Sequence, residues 1–454
     1  MTFYVTTAIP YVNAAPHLGH ALELVQADVL ARHRRLRGDP VRFLTGTDEN
    51  ALKNVTAAAA AGAEVASFVA ANADRFAGLG AALSLSFDDF IRTSSDPRHR
   101  QGVADLWRRS AARGDFYRRG YSGFYCAGCE QFSDTADRCP EHGTVPERIT
   151  ETNWFFRLSR YAGDVLSALD EGRIRIEPPA RRNEVLSFVR SGLADISVSR
   201  PAARAGGWGI PVPGDPEQVV YVWWDALANY VTADSRAWRD ATERVHVIGK
   251  GIVRFHAVYW TALLLSAGLP LPTAIFVHDY LTVDGAKISK SAGTAVDPYE
   301  LVARYGDDAL RWWLLSEVAR AGDTDFTEER LRARYHQDLA NGIGNLVNRT
   351  AALVRRRAVA QPGEPLGGDL PDRIDRALAA FDFRAATGEI TRVVTEANRF
   401  IERERPWELA DPDLVLGRLV ATCRLLAHEL TPFLPSGAAR VTAGEPGPVF
   451  PRLP

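Results

Sequence analysis

Residues 3–45 read FYVTTAIPYVNAAPHLGHALELVQADVLARHRRLRGDPVRFLT, and their pattern decides the fold. Phe3 to Ala8 is a short β-rich run, and Pro10, Asn13 and Pro16 mark a loop after it. From Leu18 to Arg37 the apolar residues Leu18, Leu22, Val25, Val29 and Leu36 recur at helical spacing. Gly38 stops that helix, and Val41 to Thr45 reads as the next strand. Strand, crossover helix and strand make the first unit of a parallel α/β sheet.

Working outward, the alanine-rich stretch from Val55 to Leu83 predicts further helices. The alternation then breaks. Residues from about 114 to 216 carry three clustered cysteines, several Gly and Pro, and aromatic runs such as Asn153-Trp154-Phe155-Phe156, the texture of an insertion. The α/β pattern returns with predicted strands at Val219 to Trp223, Val245 to Ile248 and Ala274 to Val277. Beyond about Asp323, residues 328–357 and 371–434 predict long helices around a Gly/Pro-rich linker, Gln361 to Pro371, and hence a helical bundle. The tail from Gly444 to Pro454 is expected to pack as an extended strap.

With 454 residues the chain exceeds one ordinary domain. Hydrophobic residues at 46% and charged residues at 24% exclude a disordered or fibrous protein. A net charge of -2 means that any nucleic-acid partner must be met by local patches. No apolar run approaches the roughly 20 residues that cross a bilayer. The N-terminus lacks a basic region followed by an apolar core, so a soluble cytoplasmic enzyme is expected.

Two motifs carry the chemistry. Pro16-His17-Leu18-Gly19-His20 sits between the first strand and its helix, where open α/β sheets bind ligands. A helix N-terminus suits phosphate, and His17 and His20, three apart, share one side of the first turn. Gly19 allows a nucleotide base to approach the backbone. Taken alone, the motif is a weak signal and reads rather as two surface histidines capping a helix. Lys287-Ile288-Ser289-Lys290-Ser291 follows a predicted strand and holds two of the four lysines among 54 basic residues. Mobile ammonium groups suit the migrating charge of a triphosphate.

A third constellation is Cys126-x2-Cys129, nine residues, then Cys139-x2-His142. Three thiolates and an imidazole in two close pairs make a tetrahedral Zn2+ site, and four protein ligands make it structural. The remaining Cys423 reads as a core thiol.

Together, the HxGH and KxSKS-like motifs resemble the two signatures of class I aminoacyl-tRNA synthetases. The resemblance narrows to the methionyl-tRNA synthetases through Ala8-Ile9-Pro10-Tyr11, Thr45-Gly46-Thr47-Asp48-Glu49 and Asp88-Asp89-Phe90-Ile91-Arg92-Thr93. Tyr221-Val222-Trp223-Trp224-Asp225-Ala226-Leu227 and Ile252-Val253-Arg254-Phe255-His256 extend it. It implies formation of methionyl-adenylate from L-methionine and ATP with Mg2+, release of pyrophosphate, and esterification of tRNA(Met).

By the same resemblance His17, His20, Lys287 and Lys290 are catalytic. Gly19, Glu23, His278, Asp279, Lys287, Lys290 and Ser291 meet ATP. Ile9, Tyr11, Trp223, Ala226, Leu227, Tyr230, Ile252, Phe255 and His256 line the methionine pocket, with Asp48 on the α-ammonium. Asn345, Arg349 and Trp407 read the anticodon. The cysteine cluster resembles the single zinc knuckle of the family's insertion domain.

The implied architecture is a Rossmann-like catalytic domain in two halves, 1–113 and 217–322. A connective domain at 114–216 with a knuckle at 126–142 is inserted, and an all-α anticodon-binding domain at 323–454 follows. No appended module follows, so a monomer is expected.

Five residues, at four places, depart from the family pattern. Asn50 and Ala51 replace the usual His-Gly, Gly251 an Asp, Asp279 a Gly and Ile288 a Met. Ile288 is a volume-conserving change; the other departures are expected on the nucleotide side. Asp279 is positioned to replace the ribose contact that Gly251 lost, or to crowd the nucleotide. A specialised, inhibitor-tolerant second copy fits these departures. An adenylate-forming enzyme with another acceptor is opposed by Asn345, Arg349 and Trp407, and a silent RNA-binding relative by the intact His17, His20, Lys287 and Lys290.

Overall fold

A computed structural model describes residues 2–126, 131–133, 135–139, 143–288, 295–355, 363–443 and 448–453. The chain forms two compact units that cut across the four segments read from sequence. One comprises 1–16, 40–78 and 87–277; the other comprises 17–39, 79–86 and 278–454.

The first unit is built on a six-stranded parallel sheet. Its order is Asp89–Arg92, Val41–Thr47, Phe3–Thr7, Glu243–Gly249, Ala274–His278 and Arg175–Glu177. Phe3–Thr7 lies in the middle and is buried along its whole length, as a strand covered on both faces must be. Its two polar side chains are satisfied: Thr6 Oγ1 meets His246 Nδ1 at 2.6 Å and Thr7 Oγ1 meets Thr45 Oγ1 at 2.7 Å.

Two features differ from the sequence reading. The edge strand Arg175–Glu177 comes from the inserted region and pairs in parallel with Ala274–His278. The expected strand at Val219 to Trp223 is instead Asp215–Val220, followed at once by the helix Val222–Thr232. That strand belongs to a separate antiparallel sheet with Pro211–Val212 and Ser199–Pro201. Tyr221-Val222-Trp223-Trp224 is apolar enough to pass for a strand, and only its packing as a buried helix separates the two. The rest of the insertion combines an antiparallel sheet, dominated by the long pair Phe116–Cys126 and Glu147–Phe156, with the helices Ala162–Asp170 and Pro179–Arg190.

The second unit holds the helix Leu18–Leu36, a small sheet and the C-terminal helices. Arg311, fully buried, ties its parts together. It pairs with Asp28 of Leu18–Leu36 at 2.8 Å and donates to the carbonyls of Leu83, Pro432 and Phe433. Asp28 also accepts the N–H and hydroxyl of Ser86. A buried pair in which each guanidinium nitrogen finds an acceptor is the arrangement in which two desolvated charges are tolerated.

The predicted long helices are present as Glu328–Arg334 continued through 335–354, Leu370–Ala379, Phe383–Glu404 and Asp413–Leu430. The strap packs through Phe450, with Tyr335 donating to the Pro451 carbonyl at 2.8 Å. Among the described residues no single helix is long and apolar enough to cross a membrane.

Candidate active site

His17 is the N-cap of the helix Leu18–Leu36, and the two histidines form its capping box. The His17 Nδ1 accepts from the Gly19 N–H, and the His20 Nδ1 accepts from the His17 N–H, each at 3.1 Å. With Nδ1 accepting in both rings, the proton of each neutral imidazole sits on Nε2. The rings stack with centroids 3.9 Å apart. Burial pushes the His20 imidazole well below its usual range, and the neighbouring His17 and His278 rings add to the effect. The cap therefore sets two neutral N–H groups side by side. Gly19 is explained locally, because a Cβ there would come within 3.0 Å of the His17 ring.

Glu23, one turn on, pairs with His278 Nε2 at 3.0 Å, so two residues expected at ATP meet. Asp279 is buried, and its Oδ2 accepts from the Gly322 N–H at 2.6 Å. Lys287 ends a hairpin in which Thr282 pairs with Lys287. Asp284 and Gly285 turn it at φ 53° and 73°, which Asp-Gly tolerates. Asp325 holds the turn by accepting from Gly285 N–H and Thr282 Oγ1. Ser289, Lys290 and Ser291 lie outside the described residues.

The expected methionine residues gather in the first unit. Trp223 stacks on Phe255 at 3.7 Å, and Tyr11 meets Trp223 edge-on at 6.3 Å. Tyr11 also pairs through its backbone with Asp48, which is buried. The Tyr230 hydroxyl meets His256 Nε2 at 2.7 Å, and His256 Nδ1 meets the Ile252 carbonyl at 2.9 Å. Since a carbonyl only accepts, Nδ1 carries the proton and Tyr230 donates to Nε2. Burial holds the His256 pKa down at about 4. Ala226 and Leu227 are buried in the same helix as Trp223, and Ile9 is half-buried. A cavity of about 310 Å3 opens beside Trp223, Leu227 and Phe255, with Arg119, Arg200 and Tyr259 on its other walls. Of the residues expected at methionine, this cavity meets Trp223, Leu227 and Phe255, whereas Tyr11, Asp48, Tyr230 and His256 are not among its walls.

This arrangement meets its counterparts among known proteins. The family model for class I (M) tRNA synthetases matches residues 3–144 and 134–351. The chain is 40% identical to the methionine–tRNA ligase of Rhizobium meliloti, over 97% of this chain and 90% of that one. Identity to the Mycobacterium tuberculosis methionine–tRNA ligase is also 40%, over 97% and 91%. The crystal structure of M. tuberculosis methionyl-tRNA synthetase bound by methionyl-adenylate superposes with a TM-score of 0.92 at 37% identity, covering 99% of this chain and 100% of that one. The chain belongs to the methionyl-tRNA synthetase family.

Within that family the departures acquire local reasons. Asn50 Nδ2 donates to Asp225 Oδ2 at 2.7 Å and to the Thr93 carbonyl at 3.2 Å. The other Asp225 oxygen meets His99 Nε2 at 2.5 Å, and His99 Nδ1 meets Thr232 Oγ1 at 2.8 Å. Asn50 was expected on the nucleotide side, yet its partner lies on the helix that carries Trp223, Ala226, Leu227 and Tyr230. Sequence reasoning missed this network. The one signal was Asp225, a carboxylate inside an apolar run. Ala51 begins the helix Leu52–Ala60 with no side-chain cap, Gly251 is exposed in a short turn, and Ile288 is buried.

Two of the four residues expected to form a zinc knuckle are described. Cys126 and Cys139 are both buried. Both meet Thr144: Cys126 Sγ lies 3.9 Å from its hydroxyl, and the Cys139 N–H donates to its carbonyl at 2.9 Å. Cys129 and His142 lie outside the described residues, so no group of three potential ligands occurs among those that are. Cys423 is half-buried, with its thiol pushed up to about 11 by desolvation.

On the helical side, Asn345 and Arg349 are four apart, and they face Asn398 and Glu402, also four apart. Asn345 Nδ2 donates to Asn398 at 3.3 Å, and Arg349 pairs with Glu402 at 2.6 Å. Trp407 is 51% exposed, which is not the burial of a bundle-core tryptophan.

Proposed function

We propose that the chain is a methionine–tRNA ligase that joins L-methionine to ATP as methionyl-adenylate and then passes the methionyl group to tRNA(Met). The observation that carries this reading is the match, along almost the whole chain, to a synthetase holding methionyl-adenylate.

Asp48 receives the methionine α-ammonium, and the Tyr11, Trp223, Phe255 and Tyr230 side takes the thioether. The methionine carboxylate attacks the α-phosphorus of ATP, and pyrophosphate leaves. The Nε2–H groups of His17 and His20 donate to phosphate oxygens where negative charge builds, without the reorganisation that water would need. Kept neutral by burial, His20 donates throughout the working pH range. Lys287 and Lys290 supply positive charge to the leaving pyrophosphate. In the second step a ribose hydroxyl of the tRNA terminus attacks the activated carbonyl, and AMP leaves.

Mg2+ would neutralise the triphosphate. Two buried cysteines, one meeting Thr144 through its thiol and the other through its backbone N–H, suit a zinc knuckle, with Cys126, Cys129, Cys139 and His142 as the tetrahedral set of a structural ion. Asn345, Arg349 and Trp407 are proposed to read the anticodon, and a cytoplasmic monomer completes the proposal.

Methionine-dependent exchange of pyrophosphate into ATP, followed by charging of tRNA, tests the reading. Lys290→Ala is expected to lower kcat much more than it raises the KM for methionine, since its contact strengthens in the transition state. Exchange that does not depend on methionine would overturn the proposal.

A further inference from the structure

Among the described residues, four large apolar side chains are exposed: Val145, Trp407, Leu409 and Leu414. Three of them fall in one short segment, directly after the helix Phe383–Glu404. A left-handed Arg405 at φ 45° turns the chain there. The helix itself carries a basic row leading to this segment. Arg392, Arg399 and Arg403 are seven and four residues apart, which at 3.6 residues per turn puts them within about 40° around the axis.

All three arginines are exposed, with side-chain exposures of 55% for Arg392 and 70% for Arg403. They line an open groove of about 520 Å3 with Thr391, Thr395 and Glu396. Arg392 pairs with Glu389 and Arg403 with Glu404, each at 2.9 Å. Arg399 has no ion pair among the described residues. Exposed pairs contribute little and are screened by salt, so a polyanion can recruit these guanidinium groups. At 1.5 Å per residue the row runs about 16 Å, a track suited to a chain of phosphates rather than a single one.

We infer that Arg392, Arg399 and Arg403 hold the phosphodiester backbone of tRNA beside the bases received at Trp407. The inference rests on the ligase reading and adds to it a second contact of different chemistry. Trp407 would supply a face for an unpaired base, whereas the arginine row is blind to sequence and reads only charge.

The test measures equilibrium binding of tRNA(Met) to the full chain between 50 and 200 mM salt. It compares the wild type, the triple variant Arg392→Gln/Arg399→Gln/Arg403→Gln, and Trp407→Ala. Losing three phosphate contacts should flatten the slope of log K against log salt by about 2 to 3. Over this fourfold range the wild type should then lose about 20- to 40-fold more affinity than the triple variant. A tRNA with another anticodon should respond equally.

Trp407→Ala should weaken cognate binding at every salt concentration while the slope stays the same. Arg236→Gln, on the exposed helix Ser235–Asp240, controls for loss of charge and should leave the slope at the wild-type value. If the triple variant does not fold, Arg399→Gln alone should show about a threefold difference over the same range. A wild-type slope in the arginine variants, with Trp407→Ala still weak, overturns the inference and spares the ligase reading. No tRNA binding by the wild type overturns both. Loss of polyglutamate binding in the triple variant with tRNA binding intact reassigns the face to an acidic protein and also overturns the inference.

Discussion

Replacing Asn50 by Ala tests how the segment behind Asp48 is fastened to the amino-acid pocket. The Asn50 amide donates to Asp225 at 2.7 Å and to the Thr93 carbonyl at 3.2 Å. Asp225 is fully buried. Its other oxygen is already engaged by His99 at 2.5 Å, so removing Asn50 leaves a desolvated carboxylate oxygen short of a donor. A hydrogen bond to a charged group is worth about 1.5–3 kcal/mol, and the longer neutral one about 1 kcal/mol. The total, about 2–4 kcal/mol, divides between global stability and the geometry of the pocket.

Asn50 lies two residues after Asp48, and Asp225 sits on the helix bearing Trp223, Ala226, Leu227 and Tyr230. Much of the loss should therefore appear in methionine binding. Pyrophosphate exchange should show the methionine KM of Asn50→Ala raised roughly tenfold, with a smaller change in kcat, and thermal unfolding should move down by a few degrees. Asn50→Asp should be worse than Ala, because it sets a second carboxylate against a buried one. Asn50→His, which restores the family residue and a ring donor, should recover most of the loss. Wild-type KM and Tm in Asn50→Ala, or an Asp variant no worse than Ala, would refute the reasoning.

Metal analysis of protein prepared without chelator should find one Zn2+ per chain, and stripping it should loosen the region around Cys126 and Cys139 before the parallel sheet; metal-free, fully ordered protein would count against the knuckle. Asp279→Gly should raise the KM for ATP and lower the Tm, since it deletes the 2.6 Å bond to Gly322. Asp279→Asn can keep that bond, so a raised KM in this variant too would assign the effect to charge on the ribose, and a lowered KM in Asp279→Gly would mean obstruction.

Acid should destabilise the first unit through buried, neutral histidines. His256, held at about 4 by burial, and His246, held well below its usual value by burial and by His256, gain protons only on unfolding. Stability is thus complete above about pH 6.5 and falls as pH drops toward 4, by about 3 kcal/mol for His256 alone. The fall in Tm between pH 7 and 5 should be blunted in His256→Gln, and an equal fall in both proteins would remove His256 as a cause.

What the sequence determined by itself rests on short-range geometry. The helix 18–36 and its histidine cap depend on residues within a few positions, and there periodicity and cap chemistry dictate the backbone. The parallel core was legible because a strand, a crossover helix and a strand leave one economical pairing. The tertiary structure alone decided what depends on distant partners. Arg175–Glu177 joins the sheet although the surrounding insertion reads as a separate region. Asn50 reaches an aspartate 175 positions away, and that aspartate meets His99 across 126. Asp279 is claimed by Gly322, 43 residues on. Nothing local selects such partners: a buried carboxylate must be answered by whichever donors the packed elements bring to it, and only the fold names them.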